Sequence, residues 1–145
     1  MSTSGGERLK ELAKKYASNL VARVGILEGA KYSDGTPVAY IAAIQEFGCP
    51  EAHIPARPFL RTAFDKKKGE WVDVIANAIE ETHDVRKALD AAGSIARGDI
   101  AESLNEGPWV ENADSTIARK GSKQPLVESG NMRDSIKYEI REQDE

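Results

Sequence analysis

The chain has 145 residues, of which 30% are charged and 40% hydrophobic, and this length fits one domain with a core of its own. The single cysteine excludes a disulfide framework and a multi-cysteine metal site, and no uncharged stretch is long enough to cross a membrane. Residues 1–72 carry 11 Lys and Arg against 8 Asp and Glu, whereas residues 73–145 carry 9 against 16. The resulting net charge of −4 argues against tight, sequence-independent wrapping of nucleic acid.

The N-terminal half predicts a helix, a strand and a second helix. The start of the chain lacks the basic and apolar regions of a signal peptide, which predicts a soluble protein made in the cytoplasm, and residues 1–6 are predicted to be disordered. Apolar residues at three- and four-residue spacing predict a helix over 7–19, and alternation predicts a strand over 20–28. The alanine-rich segment 38–47, followed by Gly48, favours a short capped helix, although its alternation leaves a strand open.

The second half begins with the longest helical pattern. It covers residues 59–82, after three prolines that make 48–58 an irregular connection. A further helix follows the N-cap residue Asp84, with Gly93 and Gly98 marking a bend or close packing. Residues 105–131 show no period, which predicts a long irregular loop or arm. Alternating residues over 136–140 give the clearest strand pattern in the chain.

These elements predict an α+β fold in a single domain, residues 1–145. The small, mainly antiparallel sheet would contain 20–28 and 135–142, with the 7–19 and 59–82 helices covering it. Phe64 and Trp71 are then expected to be largely buried on the sheet side of the long helix.

The sequence offers no catalytic constellation. Cys49 and His53 are four residues apart in the proline-bounded loop, which suggests two metal ligands or a nucleophile and its base. No second pair completes a structural zinc site, and the spacing does not establish the geometry that a nucleophile and its base require. The glycines match no nucleotide-binding pattern. We therefore expect a protein that is not an enzyme and that has no cofactor and no metal.

Two polar features suggest contacts with partners. The basic segment of Arg119, Lys120 and Lys123 is either a solvated loop or a contact for DNA or an acidic partner. Arg57 and Arg61 flank Pro58-Phe59-Leu60, a composition typical of interface anchors. The alternative is that these arginines make local salt bridges. If they are exposed, their removal should leave the isolated fold nearly intact.

Two ordered segments resemble a known family. The first is Gln45-Glu46-Phe47-Gly48 followed, after a spacer, by Ile54-Pro55-Ala56-Arg57-Pro58-Phe59-Leu60-Arg61. The second runs from Thr116 through Lys120-Gly121-Ser122 and Pro125-Leu126-Val127 to Gly130-Asn131-Met132 and Ser135-Ile136. In this order they are similar to the tail-completion and head–tail joining proteins of tailed bacteriophages, the virion-morphogenesis and putative tail-component group. The likeness spans residues 20–142, with Gln45 where asparagine is more usual.

The resemblance implies a structural virion protein of the phage neck or tail. Such a protein completes the tail and joins it to the head as part of a homo-oligomeric ring, commonly a hexamer, beside connector and tail-tube proteins. DNA passes through the ring without sequence-specific binding, and no membrane is involved. The residues predicted to form the subunit or partner interface are Glu46, Phe47, Arg57, Pro58, Phe59, Arg61 and Trp109.

Three alternatives remain open at this point. Within phage structure, a tail-terminator or a head-completion (stopper) role is the nearest. From another class, a small nucleic-acid-binding module would use the 119–123 segment and the helix that carries Lys14 and Lys15, although the chain lacks aromatics for base stacking. An enzyme with an unrecognised site is the third.

Overall fold

The computed structural model describes residues 5–106 and 131–143, and within them it has five α-helices and two β-strands. In chain order the elements are α1 (Gly5–Lys15), β1 (Leu20–Ile26), α2 (Val38–Phe47), one turn of 3-10 helix (Pro50–Ala52), α3 (Phe59–Thr82), α4 (Val85–Glu106), α5 (Asn131–Asp134) and β2 (Ile136–Glu142). The predicted α+β class is confirmed, and α2 and α3 have the predicted bounds. The helix α1 begins at Gly5 and ends at Lys15, four residues before the predicted end.

The two strands pair in the predicted antiparallel arrangement. The register runs from Leu20 opposite Glu142 to Ile26 opposite Ile136. Because successive side chains alternate between the two faces, Val24, Ile26 and Ile136 point to one face of the sheet. Ile136 lies in the core and the other two pack against it. The opposite face carries Lys137, Glu139 and Arg141 of β2, so one face of the sheet is packed and the other is solvated.

The helix that covers the sheet is α4, not the two helices predicted from the sequence. It contacts both strands, whereas α3 packs along α4 and α1 packs along α3. Arg8 ties α1 to α3 by an ion pair with Glu80 (3.0 Å) and a hydrogen bond to the side-chain oxygen of Asn77 (2.8 Å). The prediction was wrong here because α3 and α4 both carry an apolar stripe, and periodicity does not say which of them lies under the strands.

The main core joins α2, the start of α3, the end of α4 and the segment around α5. Its buried members are Val38, Ala42, Phe59, Ala63, Ile100, Leu104, Met132 and Ile136. Trp71 packs against this cluster only in part, and its indole N–H donates to a carboxylate oxygen of Asp99 (2.6 Å). The expectation that Phe64 is buried under the sheet is wrong, since 53% of its surface is exposed. A sheet of two strands covers α4 and stops before it reaches the face of α3 that carries Phe64.

Part of the predicted loop or arm has a definite structure. Asn105 and Glu106 belong to α4, and Asn131 begins α5. Trp109 and the basic residues Arg119, Lys120 and Lys123 lie outside the described residues, so their predicted contacts stay predictions. Among the helices of residues 5–106 and 131–143, none combines the length and the apolar character that crossing a membrane requires.

Candidate interaction site

The first of the two motif segments folds into one unit, in which a carboxylate of α2 caps the start of α3. Glu46 accepts hydrogen bonds from the backbone N–H groups of Leu60 (2.8 Å) and Arg61 (3.1 Å). These belong to the first turn of α3, whose N-terminal N–H groups have no partner within the helix. Pro58, at the N-cap position, contributes no capping bond. Glu46 therefore caps the N-terminus of α3 from 14 residues away, a role that a serine or aspartate at the N-cap position usually has.

Arg61 closes the same unit from the other side. Its Nε donates to Glu46 Oε2 (2.8 Å), and its Nη2 donates to the backbone oxygen of Glu46 (2.7 Å). Glu46 is only 3% exposed, so its negative charge is buried but meets a cation and two backbone donors. Such a satisfied carboxylate holds the end of α2 against the start of α3, because losing any donor would leave charge uncompensated.

The loop between the two helices folds back onto α2. The backbone N–H of Arg57 donates to the carbonyl of Gln45 (2.6 Å), and its Nη1 donates to Gln45 Oε1 (2.9 Å). Gly48 turns the chain with φ +75°, and a Cβ atom there would lie 2.8 Å from the backbone nitrogen of Ala56. Only glycine fits this turn, which explains why Gly48 follows Glu46 and Phe47 in the motif.

Arg57 and Phe59 are not the exposed anchors that the sequence suggested. Arg57 is 7% exposed, its Nε has no hydrogen-bond partner, and burial lowers the pKa of its guanidinium. Phe59 is fully buried in the core. The reason is that the loop folds back over α2, which turns both side chains inward. Within the subunit, the buried contacts of these two residues, like those of Glu46, stabilise the fold.

Phe47 and Arg61 are the predicted interface residues that do reach the surface. Phe47 is 67% exposed, and the guanidinium carbon of Arg61 lies 4.8 Å from the centre of its ring. This cation–π contact holds the phenylalanine ring in place beside solvent. Pro58, the remaining described member of the predicted set, is half-buried at the start of α3.

Sequence reasoning missed a third member of this surface. Tyr40 is 62% exposed on α2, and Tyr40, Ala43 and Phe47 follow one another at three- and four-residue spacing. They form one stripe along the helix, which we call the α2 stripe, on the face opposite Val38, Ala42 and Glu46. The stripe contains no charged side chain. The spacing was visible in the sequence, but the open choice between helix and strand hid which residues share a face.

The α2 stripe borders a groove at the junction of three elements. The groove has a volume of about 290 Å³ and is lined by residues that include Ile26, Ala39, Phe47, Leu60 and Arg61. Its lining is mainly apolar, with one cation at the rim. A groove of this size and composition suits a few apolar side chains of another protein better than a drug-sized ligand.

The loop that holds Cys49 and His53 shows no built metal site. Cys49 is half-buried and its thiol is 3.6 Å from a carboxylate oxygen of Glu51, whereas His53 is exposed. Across residues 5–106 and 131–143, no group of three or more His, Cys, Asp and Glu side chains is placed to hold a metal ion.

The chain was compared with protein-family models, with curated proteins and with solved structures, and none of the three comparisons gives a match.

Proposed function

We propose that this chain is a structural subunit of the neck or tail of a tailed bacteriophage, which completes the tail and joins it to the head as part of a homo-oligomeric ring, commonly a hexamer in this family. In this proposal it is not an enzyme and uses no cofactor. Its partners are further copies of itself and the neighbouring connector and tail-tube proteins, and DNA passes through the ring. After synthesis in the host cytoplasm it resides in the virion. The nearest alternative places are the tail terminator and the head-completion stopper.

One observation carries the proposal: the motif residues on which the resemblance rests depend on one another in space. Glu46 binds the start of the segment that contains Arg61, and Gln45 binds Arg57. At the end of the second segment, Met132 and Ile136 are buried in the same core as Phe59. A chance likeness of short segments would have no reason to select residues that hold one another in place.

The surface that the motif leaves exposed supports a role in assembly. The α2 stripe presents two large aromatic side chains, Tyr40 and Phe47, with no charge between them. Aromatic residues beside an arginine are enriched where proteins bind one another, and exposed apolar patches mark such sites. The acidic balance of the chain suits a ring around DNA, because like charge lowers the affinity for phosphates and lets DNA slide.

Electron microscopy of the purified protein tests the proposal, alone and after mixing with headless tails and tailless heads of its phage. Rings, or protein located at the head–tail junction, are expected. A protein that stays monomeric, joins neither particle and binds short DNA duplexes with strong salt dependence would contradict the proposal and favour the nucleic-acid-binding module.

A further inference from the structure

In the part of the chain that the structure describes, β1 pairs only with β2, and its outer edge, which we call its free edge, has no partner strand. Gln143 donates its backbone N–H to the carbonyl of Asn19 (2.8 Å), which makes 19 and 143 a hydrogen-bonded pair. In an antiparallel ladder such pairs alternate, so the backbone groups of Ala22, Val24 and Ile26 point away from β2. They bind no other group among residues 5–106 and 131–143. At one end of this edge, the outward N–H of Leu20 donates to the hydroxyl of Ser18 (3.1 Å).

The outer edge of β2 differs from that of β1. Arg97 of α4 reaches it, and its Nε donates to the outward carbonyl of Ile136 (2.8 Å). The side chains of β2 also alternate between apolar and charged, with Lys137, Glu139 and Arg141 on one face. Charged residues and capped backbone groups protect an edge from pairing with another chain. Arg97 and these charged side chains therefore make β1 the more open of the two edges among the described residues.

Next to the free edge of β1 lies an apolar surface that no described residue covers. A groove there is lined by residues that include Val24, Leu60, Phe64, Trp71 and Ile100. Neighbouring strands are about 4.8 Å apart, so a third strand beside β1 would lie over α3, just as β1 and β2 lie over α4. It would cover Phe64, whose ring packs edge-on against Trp71 with 6.1 Å between the ring centres.

Arg61 stands between the two grooves. It lines the groove beside Phe64 and also the groove beside Phe47. Its Nε and Nη2 are bound to Glu46, while its Nη1 has no partner in the described part of the chain. A strand laid along β1 would pass this free donor. A carboxylate at that position would accept a charge-assisted hydrogen bond from Nη1 of Arg61.

The helix α3 also limits what can pair with β1. In a folded second copy, α4 of that copy covers the apolar face of its two strands. If one of those strands paired with β1, its α4 would need the space that α3 already fills here. Turned over, the copy would press its charged face, with Arg23 or Lys137, onto Leu60 and Phe64. The site therefore fits an extended segment that brings no helix of its own beneath it.

We propose that the free edge of β1 accepts an extended segment of a different protein, which adds as a third strand, sets alternate apolar side chains over Leu60 and Phe64, and places a carboxylate at Arg61. Backbone pairing supplies the affinity, while the grooves and the arginine select the side chains. This inference does not depend on the proposed function, because a peptide that binds the edge of β1 requires no ring, although Leu60 and Arg61 line both the groove at this edge and the groove beside the α2 stripe.

The test uses the full chain and two fluorescein-labelled octapeptides of alternating valine and threonine, with either glutamate or lysine at one central position. Fluorescence anisotropy measures the binding, and ¹⁵N spectra locate it. Ala22→Pro removes an outward donor that binds no other group in the described part of the chain, and edge strands tolerate proline. Phe64→Ser removes the apolar cover. The matched control is Glu142→Pro, which makes the same backbone change on the outer edge of β2.

We expect the glutamate peptide to bind the native chain and Glu142→Pro equally, and the lysine peptide to bind several-fold more weakly. Ala22→Pro and Phe64→Ser should each weaken binding by about tenfold, the effect of one hydrogen bond or one partly buried aromatic side chain. The amide signals of Ala22 and Val24 should shift, and those of Tyr138 and Ile140 should not. If Ala22→Pro fails to fold, Phe64→Ser decides the outcome.

Three results would overturn the proposal: no binding by the native chain, as when another part of the chain already fills the edge; binding that neither variant weakens; or shifts confined to β2. Ring formation can succeed or fail independently of all three, so the two proposals fail separately.

Discussion

The ring of Tyr138 lies directly on the backbone of Gly93. A Cβ atom added to Gly93 would be 2.5 Å from Cδ2 and 2.9 Å from Cγ of the tyrosine. The phenolic O–H then donates to a carboxylate oxygen of Asp90 (2.6 Å), one turn earlier on α4. Strand β2 and helix α4 approach closely at this point because one residue has no side chain.

Gly93→Ala should destabilise the protein by about 1–3 kcal/mol, since the methyl group would force the Tyr138 ring and β2 away from α4. The matched control is Gly98→Ala on the same helix, where an added Cβ meets nothing within 4 Å. There the better helix propensity of alanine should stabilise the fold by about 0.5–1 kcal/mol. Urea denaturation of both variants measures the difference. Equal stabilisation by both would show that β2 does not lie on Gly93.

Because of the hydrogen bond from Tyr138 to Asp90, the free energy of unfolding should change with pH in the alkaline range. This bond, with the nearby negative charge, raises the pKa of Tyr138 above its ordinary value near 10. The folded state therefore holds the phenolic proton more tightly than the unfolded state does. The resulting stability is fully present below the unfolded pKa and is lost as pH rises through the folded pKa.

The measurement is the free energy of unfolding of the native chain and of Tyr138→Phe between pH 8 and about pH 11, above the ordinary tyrosine pKa. The difference between them should shrink at the alkaline end. The lysines titrate in both proteins and cancel in this comparison. A constant difference over the whole range would mean that Tyr138 does not donate to Asp90.

Among the carboxylates in the described part of the chain, Glu46 is the buried one, and its substitution should lower the free energy of unfolding most. Glu46→Gln keeps the shape but removes the charge that meets Arg61 and two N–H groups, and we expect a loss of about 1–3 kcal/mol. Glu70→Gln is the control, because the ion pair of Glu70 with Lys67 is exposed and should contribute under about 1 kcal/mol. Thermal unfolding of both variants measures the two losses of stability. A loss for Glu46→Gln no larger than for Glu70→Gln would refute the role of Glu46 as the cap of α3.

The contacts of Arg57 lead to a different expectation from the one that its sequence position suggested. Its guanidinium is buried without an ion pair among the described residues, while its stem fills space beside α2. Arg57→Ala should therefore destabilise the fold by about 1–3 kcal/mol. Arg57→Met, which keeps the stem and removes the desolvated charge, should cost less or stabilise. If both substitutions left the melting temperature unchanged, Arg57 would be exposed after all.

Local periodicity and end signals predicted much of this fold. The apolar spacing and the flanking residues Gly48 and Pro58 set the bounds of α2 and α3, and the alternation over 136–140 identified β2. The layer order was not predictable in the same way. It depends on the contact between Gly93 and Tyr138, a relation between residues 45 positions apart that no local pattern contains.

The site was predictable in outline and not in detail. The motif identified the segments that form the site. Arg57 and Arg61 flank the same tripeptide, but Arg57 is buried and Arg61 is exposed. One precedes α3 and is carried inward by the fold of the loop; the other lies on the first turn and reaches solvent. Which of the two is exposed depends on Gln45 and Glu46, and so on how α2 packs against α3.

The last prediction concerns assembly through the α2 stripe. Phe47→Ser removes a ring that is mostly exposed, so the melting temperature of the isolated subunit should stay within a few degrees of the native value. Ring formation or head–tail joining should be lost, because an exposed aromatic residue beside an arginine is the type of side chain that dominates binding between proteins. Ile95→Ser is the control: it changes another exposed apolar residue, on α4 and outside the stripe. Electron microscopy of the two purified variants, and of lysates that carry each of them, should show separate heads and tails for Phe47→Ser and normal virions for Ile95→Ser. Normal virions from both variants would exclude the α2 stripe as the subunit interface, and separate heads and tails from both would place the interface on α4 as well.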